Sequence, residues 1–159
     1  MPSIQISQVR PEDVSVLLSF VRELAEYEKL EHLAVATEAD FRQALFGDRS
    51  TVEAVIARVD GEPAGCAIFF ANFSTFLGKP GLYLEDLFVR PAARGAGVGR
   101  ELLRHLARLA VERGWGRVEW AVLDWNESAI GFYKKLGATP LDDWTIFRVT
   151  GDALHKLAR

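Results

Sequence analysis

The chain has one cysteine among its 159 residues, so no disulfide can form within it, which fits a reducing, cytoplasmic compartment. Cys66 stands in the apolar run AGCAIFFA and reads as core rather than as a nucleophile. Histidine is scarce too: His32, His105 and His155 lack ligand spacing, and no metal site is expected. No apolar run approaches the roughly 18 residues of a spanning helix, and no signal-peptide pattern is present. Neither sign of charge dominates. With 19 Lys and Arg against 22 Asp and Glu, net charge −3, nothing points to nucleic acid or an anionic membrane surface. Repeats, low-complexity segments and linkers are also missing, so one domain over 1–159 is expected, with half its residues apolar and available for a core.

What is present centres on 82–113, LYLEDLFVRPAARGAGVGRELLRHLARLAVER. The first eight residues are apolar or aromatic except Glu85 and Asp86, the pattern of a strand buried on both faces. Pro91 ends it, having no N–H for a ladder. Gly95, Gly97 and Gly99 then lie between Arg94 and Arg100, ahead of a helix with Leu102, Leu103, Leu106, Leu109 and Ala110 on one stripe. Strand, glycine turn and helix form an anion-binding device: glycines let amides turn outward, and the helix start adds about half a positive charge. Glycine spacing alone equally fits a tight turn with close packing. A Walker loop is excluded, because Arg100-Glu101 follows Gly99 in place of Lys-Ser/Thr. A dinucleotide fingerprint is one residue short, although Glu119 lies roughly where that fold needs its ribose acid.

The rest of the chain supplies a frame. Residues 4–9, 52–59, 64–70, 82–89, 118–123 and 144–149 read as strands. A helix starts at Pro11-Glu12-Asp13 and ends near Tyr27-Glu28; Thr37 caps a second, Asn126 caps a helix over 128–136, and 152–158 forms a last one. Asp60-Gly61 marks a hairpin, and a loop is expected from Asn72 to Gly81. The order is β-α-α-β-β-β-α-β-α-β-α. That makes an α/β (α+β) fold with a mixed, mostly antiparallel sheet and one central parallel pair, flanked by helices. It is not the doubly wound sheet of dinucleotide enzymes.

Adjacent residues on a strand face opposite ways, so Glu85 and Asp86 share a task only if a bulge intervenes. Buried carboxylates are rare unless paired or functional; a salt bridge to an arginine such as Arg148 is the structural alternative. Tyr133 shares a helix face with Asn126, Ala129, Ile130 and Leu136, as an ordinary core aromatic does.

Arg94, Gly97 and Gly99 fill the pattern Arg/Gln-x-x-Gly-x-Gly/Ala, and the stretch resembles the pyrophosphate loop of the GCN5-related N-acetyltransferases (the GNAT superfamily). The segment NESAIGFYKKLGA, 126–138, is similar to the N-A-x-x-F/L-Y-x-x-x-G segment of the same superfamily. With ELAEYEKLE at 23–31 and LYLEDLFV at 82–89, nearly the whole chain resembles diamine acetyltransferases of the spermidine/spermine and thialysine type. The resemblance implies acetyl-CoA as co-substrate, direct acetyl transfer to a small cationic amine in a ternary complex, and a cytoplasmic homodimer. It implies Tyr133 as general acid to the thiolate and Glu85 as the carboxylate steering proton removal. Leu87, Phe88 and Val89 would offer backbone to the pantetheine arm; Arg94, Gly95, Ala96, Gly97, Val98, Gly99 and Arg100 would cradle the pyrophosphate. Asn126, Ser128 and Ala129 would hold the coenzyme arm, and Tyr27, Glu28, Glu85 and Asp86 would line the amine pocket. The loop before the last strand, Leu141-Asp142-Asp143-Trp144, is shorter than in the diamine enzymes. Asp143 is the candidate for its carboxylate, with lysine analogues, other small amines or an amino-terminal peptide left open as acceptors. The rival class is an acetyl-CoA-binding sensor or interaction module of the same fold.

The chemistry sets the demand. An amine with pKa near 10.4 is neutral in only about one molecule in 2,500 at pH 7, a cost of about 4.6 kcal/mol. A site must offset this by desolvation or by a carboxylate, and must give the leaving thiolate a proton.

Overall fold

The structure is a computed structural model and describes residues 2–159. It comprises two compact units, Met1–Ala121 and Val122–Arg159.

The first unit holds the sheet. Strands β1 (Ile4–Gln8), β2 (Val52–Val59), β3 (Glu62–Ser74), β4 (Lys79–Val89) and β5 (Val118–Trp120) lie in the order β1-β2-β3-β4-β5. The first three pairings are antiparallel and β4–β5 is parallel, as the strand order along the chain requires. Helix α1 (Val14–Tyr27) starts after a short turn in which buried Asp13 accepts from the Arg10 N–H (2.9 Å) and from Arg58 Nη2 (2.8 Å). Helix α2 (Glu38–Phe46) opens on a capping box between Thr37 and Asp40. Helix α3 (Val98–Glu112) buries Leu102, Leu103, Leu106 and Ala110 of the predicted stripe and leaves Leu109 half-buried at its margin, each buried leucine stabilising the fold by about 1.5–3 kcal/mol. The core between α1 and the sheet joins Leu17, Phe20, Ala54, Ile56, Cys66, Ile68 and Phe88.

Three sequence expectations change. The expected 72–81 loop is mostly strand: β3 runs to Ser74 and β4 begins at Lys79, so only a tight connection remains. Cross-strand pairing, here Asn72↔Gly81 and Phe73↔Pro80, overrides the local turn preference of Gly, Pro and Asn. The expected 118–123 strand shrinks to three residues, and its ladder with β4 ends at Leu84↔Trp120. The cause lies at the next residue of β4. Ile68 faces Asp86 and Phe69 faces Leu84, so Glu85 is an extra, bulged residue, and a bulge bends its strand. Residues 144–149, expected as a last strand, are not in a ladder. Their own unit, 122–159, contains helices α4 (Glu127–Lys135) and α5 (Gly151–Leu157) but no strand to pair with.

Candidate active site

The start of α3 differs from those of α2 and α4. Thr37 accepts from Asp40 N at the head of α2, and Asn126 accepts from Ala129 N at the head of α4. Helix α3 begins instead on Gly97, which has no side chain to cap with and takes φ 86°, in the left-handed region glycine tolerates. Gly95, at φ 87°, does the same, and nothing lies within 4 Å of where a Cβ would stand at either residue. Among the described residues no protein acceptor meets the N–H groups from Gly95 to Arg100; the first satisfied amide is Glu101 N on Gly97 O, 3.0 Å. Arg100 is exposed beside them, without an ion pair among the described residues. Open space, outward amides and a positive helix end fit a diphosphate.

The strand leading into this loop presents a second set of polar groups. Arg90 N donates to Ala64 O, so the 64/90 position carries the ladder bonds and Gly65↔Val89 lies between them. In an antiparallel pair this turns the N–H and C=O of Val89, and by the same alternation of Leu87, away from β3. β5 does not reach them, because its ladder stops at Leu84. A pantetheine amide can therefore use that edge as a partner strand would. One group there is already met: Arg94 Nε donates to Val89 O at 3.1 Å, and its guanidinium carbon lies 5.1 Å from the centre of the Tyr27 ring. Arg90, a residue that the strand-end pattern at Pro91 does not single out, fastens the same corner. Its Nε and Nη2 donate to Glu23 Oε2 (3.3 and 3.2 Å), and the guanidinium lies 4.5 Å from the Phe20 ring.

The bulge decides the carboxylates. Glu85 is exposed, Asp86 is largely buried, and the strand alternation that would separate them is broken. Burial first, then the negative charges of Glu85 and Glu28, push the Asp86 carboxyl up to about 6. Burial also raises Glu28. So α1 and β4 bring Glu28, Glu85 and Asp86 together, and neither Glu85 nor Asp86 forms an ion pair among the described residues. Such a cluster holds excess negative charge that a cation relieves. Cys66, wholly buried, has its thiol pushed well above the usual range by burial and then by Asp86 and Glu23, the opposite of an activated nucleophile. Glu119, the possible ribose acid, is bound to Arg117 Nε (2.9 Å).

In the second unit, Asn126 heads α4, with Ser128 Oγ donating to Asn126 Oδ1 (3.4 Å) and Ala129 N to the same oxygen (3.4 Å). Tyr133 is half-buried on α4, its ring tilted against Phe132 at 5.6 Å. The helix closes where the sequence placed its stop: Gly137 N donates to Lys134 O and Ala138 N to Tyr133 O, a Schellman motif at φ 94°. Asp143 is exposed in a turn closed by Trp144 N on Leu141 O (3.2 Å).

An open helix start with outward amides, a strand edge left without a partner and an acidic cluster offer places for a polyanion, an amide and a cation. The model of the acetyltransferase (GNAT) family matches residues 18–138, and the chain belongs to that family. It is 38% identical to a thialysine N-epsilon-acetyltransferase of Caenorhabditis elegans, covering 99% of both chains. It is 32% identical to an L-ornithine N5-acetyltransferase of Arabidopsis thaliana, over 96% of this chain and 87% of that one. Among solved structures, an integron cassette protein from the mobile metagenome of V. cholerae superimposes with TM-score 0.82 at 30% identity, over 99% of this chain and 98% of that one. An aminoglycoside acetyltransferase from a soil metagenome, TM-score 0.79 at 15% identity over 94% and 97%, shares the fold.

Proposed function

We propose that residues 1–159 form one acetyltransferase domain that moves the acetyl group of acetyl-CoA to a primary amine of a small cationic acceptor, of the lysine-analogue, ornithine or polyamine class. The observation that carries this reading is the run of unclaimed amides from Gly95 to Arg100 opening α3. The relatives named for thialysine and ornithine favour an acceptor with a short aminoalkyl side chain.

Acetyl-CoA supplies the thioester. Gly95, Ala96, Gly97, Val98 and Gly99 donate amides to its diphosphate with Arg94 and Arg100 at the two ends, and the edge of Leu87 and Val89 holds its pantetheine arm; Asn126, Ser128 and Ala129 are assigned to the coenzyme arm by the family resemblance. Glu28, Glu85 and Asp86 draw the ammonium in next to Tyr27. Glu85 or Asp86 takes its proton, directly or through water, against the cost of about 4.6 kcal/mol. Tyr133 is assigned as the general acid to the leaving thiolate and Asp143 as an acceptor-binding carboxylate, both by the family resemblance. A buried, unactivated Cys66 supports direct transfer over a covalent acetyl-enzyme. The cytoplasm is the expected compartment, and a homodimer the expected assembly: Trp144, Ile146 and Phe147 are 75%, 77% and 92% exposed.

A thiol-release assay with acetyl-CoA against thialysine, ornithine, lysine, putrescine and spermidine tests the reading. Release with at least one amine is expected, fastest with thialysine or ornithine. Coenzyme binding without release on any amine would make the chain a binding module instead.

A further inference from the structure

The resting place of Arg94 is unexpected for a residue assigned to phosphate. Its Nε is spent on the Val89 carbonyl at 3.1 Å, and its guanidinium lies 5.1 Å from the Tyr27 ring centre. It has no carboxylate partner among the described residues, although its side chain is exposed. The three residues joined this way belong to three parts of the proposed site: Val89 to the pantetheine edge, Arg94 to the diphosphate loop, Tyr27 to the amine pocket.

We propose that Arg94 is a two-position latch that makes diphosphate binding promote acceptor binding, an inference that rests on the reading above. At rest its cation covers the Tyr27 ring and occupies the Val89 carbonyl. A diphosphate on the Gly95–Arg100 amides lies next in the chain to this side chain. It offers charge-assisted, forked acceptors about twice as strong as a neutral carbonyl. The guanidinium turns to it and vacates both positions. The Val89 carbonyl then becomes available to an amide of the arm. The Tyr27 face loses a like charge that opposes an ammonium arriving beside Glu28. The coupling is reciprocal, so a bound amine tightens the coenzyme by the same factor.

Calorimetric titration of thialysine into the intact protein, alone, with saturating CoA and with saturating ADP, tests this; ornithine or spermidine replaces thialysine if it turns over faster. ADP carries the diphosphate without the pantetheine arm. Acceptor affinity is expected to rise about tenfold with either nucleotide. In Arg94→Gln the nucleotide-free affinity is expected to rise to near the loaded wild-type value, and this readout does not need the variant to bind nucleotide. Arg94 is exposed, and an unchanged melting temperature verifies that the variant folds. Equal acceptor affinity with and without CoA and ADP in the wild type would overturn the latch, as would an Arg94→Gln variant with unaltered nucleotide-free affinity. If the wild type acetylates an amine yet shows no coupling, the latch alone fails. If it neither binds CoA nor acetylates any amine, the functional reading fails with it.

Discussion

Two of the side chains assigned above, Tyr133 and Asp86, make separable predictions. Tyr133→Phe removes the phenol while keeping the ring that rests on Phe132, so turnover is expected to fall about 10²–10⁴-fold, read by steady-state kinetics on a variant whose thermal melt verifies the fold. Asp86 is held by burial, then by Glu85 and Glu28, at about 6 against an ordinary 3.8. A carboxyl with a raised folded value favours the fold below about pH 4 and loses that contribution as pH rises through about 6. Above that, ionised Asp86 costs the fold about 3 kcal/mol, roughly two pH units at about 1.36 kcal/mol each. Asp86→Asn is therefore expected to melt higher than wild type at pH 8 and about equal to it at pH 4. If Asp86 rather than Glu85 takes the amine proton, kcat/KM for the amine has an acid limb near pH 6, shared with its carboxylate neighbours, and Asp86→Asn loses that limb along with most activity; a variant that keeps both assigns the proton to Glu85.

At the scale of the element, the start of α3 and the bulge in β4 do the positioning. Gly97 stands at φ 86° with open space where a Cβ would be, so an alanine there is opposed by backbone conformation, not by crowding. Gly97→Ala is expected to cost about 1–2 kcal/mol of local strain. Relaxing it turns amides out of the cradle, so KM for acetyl-CoA should rise about tenfold while KM for the amine, measured at saturating coenzyme, stays near wild type. The bulge at Glu85 acts on two partners. It stops β5 after Leu84↔Trp120, leaving the polar edge of Leu87 and Val89 without a strand, and it brings Glu85 and Asp86 under each other's charge.

For the whole molecule, the two compact units divide the assigned roles. The first holds the phosphate loop, the strand edge and the acidic cluster; the second holds Asn126, Tyr133 and Asp143. The second unit also exposes Leu141, Trp144, Ile146, Phe147 and Leu157, a concentration of apolar surface that solvent disfavours. Phe147→Asp is accordingly expected to shift the chain from dimer to monomer in analytical ultracentrifugation; a wild type that sediments as a monomer at micromolar concentration would remove the basis for a homodimer.

Local chemistry alone determined much of this protein. The leucine stripe of α3, the Thr37 and Asn126 caps, the Gly137 stop and the Asp60-Gly61 hairpin follow from neighbours a few residues apart, and a linear reading reaches them. The mixed sheet followed from element order and crossover length. Strand limits did not, because they depend on a partner: Asn72 and Gly81 pair across β3 and β4 against their turn preference, and 144–149 has no strand to pair with in its own unit. The bulge at Glu85 is not legible in one strand, since two residues opposing one is a property of two strands at once. Arg94 over Tyr27, and Glu28 beside Asp86, join positions far apart in the chain. Only the folded packing of α1 against β4 sets which charges meet, and with them where a proton is held.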